Sequence, residues 1–255
     1  MGLLPTKKSV KKTNDPKNLI IFGLPKAGKT TALSKLPDAL IIDLENGTDY
    51  VDNCYVVHAN DFRELHAVAK ELTELKQNGT VPYKFLAFDT VTALEDMAIP
   101  LACARVKKTN PSFSGEPSDL FNLPYGQGFV AHRNAVKEMI SWFEPIIPNI
   151  ILTGHVKEKS LVEGGTDLNV KSLDLGGKLS NILSADSDAI CYVYRDVETG
   201  NLMANFGDMN SVLTGSRIQS LAGKTILLAE RIKNSDGNFD IETHWETIYP
   251  SLKNA

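Results

Sequence analysis

The residues from Gly23 to Thr30, GLPKAGKT, fit the pattern G-x-x-x-x-G-K-[ST] directly after an apolar run and ahead of a helical one. Each part of that pattern has a chemical reason. Glycines at 23 and 28 let the chain curl, so that successive N–H groups point inward at phosphate oxygens. The helix that follows adds its partial positive charge at the N-terminus. Lys29 is placed to bridge the β- and γ-phosphates, and Thr30 to ligate Mg²⁺ through its hydroxyl. The expected cradle is Gly23, Leu24, Pro25, Lys26, Ala27, Gly28, Lys29 and Thr30, with Thr31 just beyond. The predicted ligand is a nucleoside triphosphate with Mg²⁺.

Such a loop needs a carboxylate for the metal, and KFLAFDT supplies Asp89 at the end of an apolar run. Ligands of open α/β sheets gather at that edge. Hydrolysis also needs a group that orients or deprotonates water. ALIIDLENG offers Asp43 and Glu45, where Glu45 either reaches the γ-phosphate or is a solvated loop acid. NIILTGH ends on His155, either a structural histidine or a side chain that senses the γ-phosphate. Glu95 and Asp96 read as surface acids of the next helix.

These residues have to be positioned by regular elements. Four short apolar runs, NLIIF (18–22), ALIID (39–43), KFLAFD (84–89) and NIILTG (149–154), have the form of strands buried on both faces of a parallel sheet. Helical spacing appears at 61–77, with Phe62, Leu65, Val68, Leu72 and Leu75 and an N-cap at Asp61. It recurs at 126–144, with Phe129, Val136, Met139, Ile140 and Phe143, until Pro145 stops it. Alternation of this kind predicts an α/β fold with a mostly parallel central sheet flanked by helices. After residue 188, DAICYVY, LMANF, KTILLAE and FDIETHWETIY predict strands joined by turns, added antiparallel near the C-terminus. Residues 107–125 and 156–177, rich in Pro, Ser, Asn and Gly, read as two long loops of functional length.

Composition sets the outer bounds. The chain has 255 residues, 42% apolar and 23% charged, enough to bury a core as one large domain. No apolar run approaches the roughly 18 residues that span a bilayer. The first residues lack the apolar stretch of a secretory signal. Cys54, Cys103 and Cys191 lack zinc spacing and read as buried thiols in a reducing compartment, the cytoplasm. Residues 1–17 hold five lysines against Asp15 alone, a basic flexible arm on a body more acidic than the overall charge of −4. The remainder, 18–255, is expected to be a single domain.

The order of parts resembles the RecA-type recombinase ATPase core. It runs from GLPKAGKT through Glu45, Asp89, YGQGFVAHRNAVKEMI and ILTGH to GGKLSNILSADSDAICYVYR. The likeness is nearest to short phage-encoded members that assist single-strand annealing and recombination, and spans about 18–245. It implies ATP as the nucleotide, Glu45 as the group that activates water, and a γ-phosphate contact after ILTG. The family's usual glutamine there is His155 in this chain. It also implies that 105–125 and 156–177 contact single-stranded DNA, through Arg105, Lys107 and Lys108 in the first and Lys157, Lys159 and Lys171 in the second. Phosphate contact with stacking on Phe113 and Phe121 is how such strands are held without sequence reading. A cation from a neighbouring subunit completes such sites. Of Arg195, Arg217 and Arg231, the choice here is Arg217 in LTGSR. A homo-oligomer on DNA, with a single-strand-binding protein as further partner, follows from the likeness, in host bacterial cytoplasm if phage-encoded.

Two other readings compete. In a small-molecule kinase, for nucleosides or sugars, Asp43 and Glu45 would hold an acceptor hydroxyl and 105–125 would close as a lid. In a nucleotide-gated DNA clamp or adaptor, the loop would bind ATP without turnover.

Overall fold

The computed structural model describes residues 13–163, 166–207 and 212–254. Most of the basic arm, residues 1–12, lies outside them. Its described end is docked rather than loose: the amides of Lys17 and Asn18 donate to the Asp188 carboxylate at 2.9 and 3.1 Å.

In chain order the elements are β1 (Asn18–Gly23), α1 (Lys29–Ser34), β2 (Ala39–Asp43), β3 (Tyr55–His58), α2 (Phe62–Gln77), β4 (Phe85–Asp89), α3 (Val91–Thr109), α4 (Pro117–Leu120), α5 (Gln127–Ser141) and β5 (Asn149–Gly154). Then come β6 (Val156–Glu163), β7 (Thr166–Leu173), α6 (Leu179–Asp186), β8 (Ala189–Arg195), β9 (Leu202–Asn205), β10 (Gly215–Ser216), β11 (Thr225–Lys233), β12 (Phe239–Thr243) and α7 (Trp245–Ile248).

The main sheet runs β12-β11-β9-β8-β1-β5-β4-β2-β3, with β10 also on β8. The strands from β8 to β3 are parallel, and β9, β10, β11 and β12 are antiparallel. The apolar runs explain this. Side chains alternate across a strand, so in β1 Ile20 and Phe22 enter the core under α2, α3, α5 and α6. Leu19 and Ile21 enter the core shared with α1 and α7. Both sets are buried. A strand apolar at every position therefore belongs in the middle of the sheet. Trp245 of α7 secures α1 from below, its indole N–H donating to the Ala32 carbonyl at 2.8 Å.

Several expectations need correction. DAICYVY forms β8, which is parallel to β1 and no antiparallel addition. The short strand β3 has no counterpart among the expected runs, since YVVH is too brief and only half-buried. The stretch 105–125 is partly helical, with irregular chain at 110–116 and 121–123: α3 continues to Thr109, so Arg105, Lys107 and Lys108 are helical, and α4 follows. Phe113 is buried in the core and Phe129, expected inside, is half-exposed. The stretch 156–177 is mostly a hairpin, with β6 and β7 paired from Val156↔Leu173 to Glu163↔Thr166. The two eight-residue runs on either side of Gly164-Gly165 are the hairpin signal the loop reading passed over. Cys103 and Cys191 are buried thiols, but Cys54 is only partly covered.

Gly23 is required where β1 and β8 pair through Gly23↔Val193. A Cβ at 23 would fall inside the van der Waals limit of the Val193 carbonyl oxygen, which is backbone and cannot swing away. Gly23→Ala is expected to cost about 1–3 kcal/mol, the usual range for overpacking. Urea unfolding of the two proteins checks it, with an unshifted midpoint as the contrary result.

Candidate nucleotide-binding site

The loop between β1 and α1 turns at the C-terminal edge of the parallel strands. Gly28 is the N-cap of α1 at φ 116°, a conformation that glycine adopts freely. No side chain caps the helix, whose first residues Lys29, Thr30 and Thr31 line the cleft in front of the loop. That cleft, about 490 Å³, is lined by Pro25, Lys26, Gly28, Lys29, Thr30 and Thr31 of the loop and by Asp43, Glu45, Asp89, Thr90, His155 and Arg195.

Lys29 is buried, and its ammonium donates to the carbonyls of Gly23 and Leu24, both at 3.1 Å. Burial pulls its pKa down, while the charges of Asp89 and Glu45 oppose that shift. Asp89 ends β4 and accepts from Thr30 Oγ1 at 2.6 Å and from Thr153 Oγ1 at 2.5 Å. Burial pushes its carboxyl above the ordinary range, against the Thr153 and Thr30 hydrogen bonds. Thr90 is the N-cap of α3, its hydroxyl accepting from the Ala93 amide. The Asp89 carboxylate stays with Thr30. A hydroxyl and a carboxylate beside a phosphate cradle are the hard oxygen donors Mg²⁺ takes, with phosphate and water supplying the rest. The residues fit that ion. Among the described residues no three His, Cys, Asp or Glu side chains gather into an all-protein metal site.

Glu45 stands across the cleft. Its loop is shaped by Asp43, which accepts from the amides of Glu45, Gly47 and Thr48 and from the Thr48 hydroxyl. Burial raises the Asp43 pKa, but the Thr48 hydroxyl and the three amides outweigh it and hold the carboxyl below its usual value. Asp43 thus positions Glu45 and has little left for an acceptor. Glu45 Oε1 accepts from Thr90 Oγ1 at 2.6 Å and from His155 Nε2 at 3.1 Å. The structure therefore brings Lys29, Thr30, Asp89, Glu45 and His155 into one cleft.

Arg217 is not brought there. It follows β10, beside the N-terminal end of β8, where it donates to the Ala185 carbonyl and lies 3.7 Å from Asp188. That is the end of the sheet opposite the loop, so within this chain Arg217 cannot reach the cleft. Arg195, passed over in its favour, lines the cleft from the C-terminal end of β8. The usable signal was position: Arg195 ends an apolar strand, as Asp89 does, whereas Arg217 follows a turn.

The basic residues assigned to DNA are scattered in their engagements. Arg105 forks onto Glu138 of α5, with Nε at 3.0 Å. Lys107 donates to the carbonyls of Pro111 and Phe113. Lys157 donates to the Leu175 carbonyl and lies 3.4 Å from Asp174. Lys171 sits over the Tyr192 ring at 5.3 Å, and Lys108 is exposed. The Lys159 side chain lies outside the described ones. Glu95 is no free surface acid: its carboxylate accepts from the Gly176 amide at 2.8 and 2.9 Å, just past the hairpin. A second cleft of about 250 Å³ runs between the two stretches, with Phe121 and Phe129 on one side and Gly176 and Gly177 on the other.

A glycine loop on a central parallel strand, a buried lysine, and a threonine–aspartate pair at the same sheet edge define an α/β domain of the P-loop class. The match to a family described as AAA domain (AAA_24) runs over residues 15–227, and the chain belongs to that family. A search of curated proteins gave no match. Among solved structures, the crystal structure of the RadB recombinase is similar at 15% identity and a TM-score of 0.45, with 90% of this chain and 92% of that chain covered. Among the described residues no helix is long and apolar enough to cross a membrane.

Proposed function

We propose that this chain is a Mg²⁺-dependent ATPase whose turnover is stimulated by single-stranded DNA and which acts in recombination or single-strand annealing. Lys29 and the loop from Gly23 to Thr31 hold the phosphates, Thr30 and Asp89 the metal, and Glu45 activates water. Mg²⁺, when bound, supplies charge neutralisation at the β- and γ-phosphates.

The observation that carries this reading is the Glu45–His155 hydrogen bond at 3.1 Å. Glu45 is the acid facing the phosphates, and His155 is the residue immediately before the β6–β7 hairpin. The hairpin closes on the same residue, because the Asp174 amide donates to the His155 carbonyl at 2.9 Å. Thr92, on the first turn of α3 beside Asp89, accepts from the His155 amide and donates to the Asp174 carbonyl, both at 3.3 Å. The buried Nδ1 of His155 has no partner among the described residues. The ring is thus oriented chiefly by Glu45, and a γ-phosphate competing for Nε2 would free the acid and shift the hairpin base together. Coupling of this kind requires two arrangements that the ligands bias differently.

For the polynucleotide, Lys108, Lys171 and the hairpin are the available contacts, with Phe121 and Phe129 as stacking surfaces. Arg105, Lys107 and Lys157 must exchange their present partners to take part. Arg217 can act only in a neighbouring copy's site. The kinase alternative is weakened by Asp43, whose carboxylate is already filled by its own loop.

A non-hydrolysable ATP analogue is expected to tighten single-stranded DNA binding by about 5- to 150-fold, and DNA to tighten the analogue by the same factor. ATP hydrolysis should rise with DNA, and binding should weaken between two salt concentrations. Fluorescence anisotropy and phosphate release measure these. Equal turnover with and without DNA, together with salt-insensitive or absent binding, overturns the proposal.

A further inference from the structure

Arg195 has no role in the reading above, and its position suggests one. β1 has two parallel neighbours, β5 and β8. The groups proposed for hydrolysis all come from the β5 side: His155 follows β5, Asp89 ends β4, and Glu45 follows β2. Arg195 is the last residue of β8, on the other side of the loop. A triphosphate lying along the loop has its terminal phosphate toward Thr30, Asp89 and Glu45. Its inner end, the α-phosphate and the nucleoside, must then leave toward β8.

The guanidinium waits on that path. Its Nη2 lies 2.9 Å from where a Cβ on Gly28 would be, so the lack of a side chain at 28 lets the cation lie against the loop backbone. Its one hydrogen bond among the described residues is from Nη1 to the Gly200 carbonyl at 3.0 Å, which fixes the head and leaves most of its five donors free. Past Arg195 lies only a small crevice, about 10 Å³, lined by Thr31, Leu202, Ala229, Glu230, Arg231 and Ile241, so the contact on this path is the guanidinium itself. Resting on the nucleotide-binding reading of the cleft, we propose that Arg195 binds the α-phosphate and ribose of the bound nucleotide, as a ground-state contact common to ATP and ADP. A finger on the γ-phosphate would behave differently, since it gains its effect in the transition state.

Titration calorimetry with Mg-ADP and with a Mg-bound non-hydrolysable ATP analogue distinguishes the two. Arg195→Ala is expected to weaken both ligands by a similar factor, roughly ten- to a hundredfold, as for the loss of one charge-assisted hydrogen bond. Arg195→Lys should fall between. Arg195→Gln, which can still donate to the Gly200 carbonyl, serves if alanine loosens the 196–200 turn, and thermal melting of the ligand-free proteins reports that. ADP affinity within twofold of the wild type in a folded variant, or a loss confined to the ATP analogue, overturns the assignment. Failure of the wild type itself to bind ADP would instead strike the nucleotide reading, because ADP binding needs neither DNA nor turnover.

Discussion

Lys29→Ala is expected to lower ATP turnover by at least about 10²–10³-fold, the usual loss when one preorganised electrostatic donor is removed, and to weaken ATP binding along with it. The reason lies in what surrounds the ammonium. Lys29 is 7% exposed, and burial alone would favour its neutral form. The charges of Asp89 and Glu45 oppose that shift, and the ammonium rests on the Gly23 and Leu24 carbonyls until phosphate oxygens replace them. Without it, a polyanion would enter a cleft lined by three carboxylates, Asp43, Glu45 and Asp89, with no buried cation to offset them. Lys29→Arg keeps the charge but not the fit, because a planar fork is no substitute for a compact ammonium between two carbonyls. It should recover little activity. Calorimetric titration with ATP and a phosphate-release assay test both variants, and thermal melting shows whether the loop stays folded. Turnover within tenfold of the wild type in a folded Lys29→Ala protein would remove the loop from the chemistry.

How much of this was legible in the sequence depends on the range of the interaction involved. The cradle at 23–30 was readable because its chemistry is local: glycines, a lysine and a hydroxyl within eight residues, between a strand and a helix. Strands β1, β2, β4 and β5 were readable because burial on both faces makes their central positions continuously apolar. The hairpin was misread as a loop because its pairing is with itself and its sequence mixes lysines, acids and glycines, which resembles a solvated stretch. Placing Arg195 against Arg217 had only a positional hint in the sequence, the apolar run that Arg195 ends, and needed the sheet to settle it. Both lie in the C-terminal third, and the parallel pairing of β8 with β1 places Arg195 at the loop while β10 holds Arg217 at the opposite end of β8. The partners of Arg105 and Lys157 follow from helix and hairpin packing, which spacing does not encode. Asp43 was half-read. Its adjacency to Glu45 was visible, but not that four donors from its own loop would occupy it and so fix the glutamate.

Glu45→Gln separates binding from chemistry. The amide keeps the length and the hydrogen bond from Thr90 but cannot accept a proton, so ATP should bind within a few-fold of the wild type while hydrolysis falls by about 10²–10⁴-fold, the span that general-base groups supply. Asp43 does not replace it, because its low pKa reflects donors it would have to give up. Asp89 does not replace it either, being shared between Thr30 and Thr153 and placed for the metal. The substitution also replaces the carboxylate that Nε2 of His155 contacts with an amide. If Glu45 and His155 form the link to the hairpin, a Glu45→Gln protein held in ATP should keep its grip on single-stranded DNA for longer than the wild type, which resets with each hydrolysis. A rapid-quench measurement of the first turnover and the rate of DNA dissociation after ATP addition give the two readings. Undiminished first-turnover hydrolysis would move the base elsewhere. Stalled hydrolysis with DNA release as fast as in the wild type would leave Glu45 its chemical part and take away the coupling through His155.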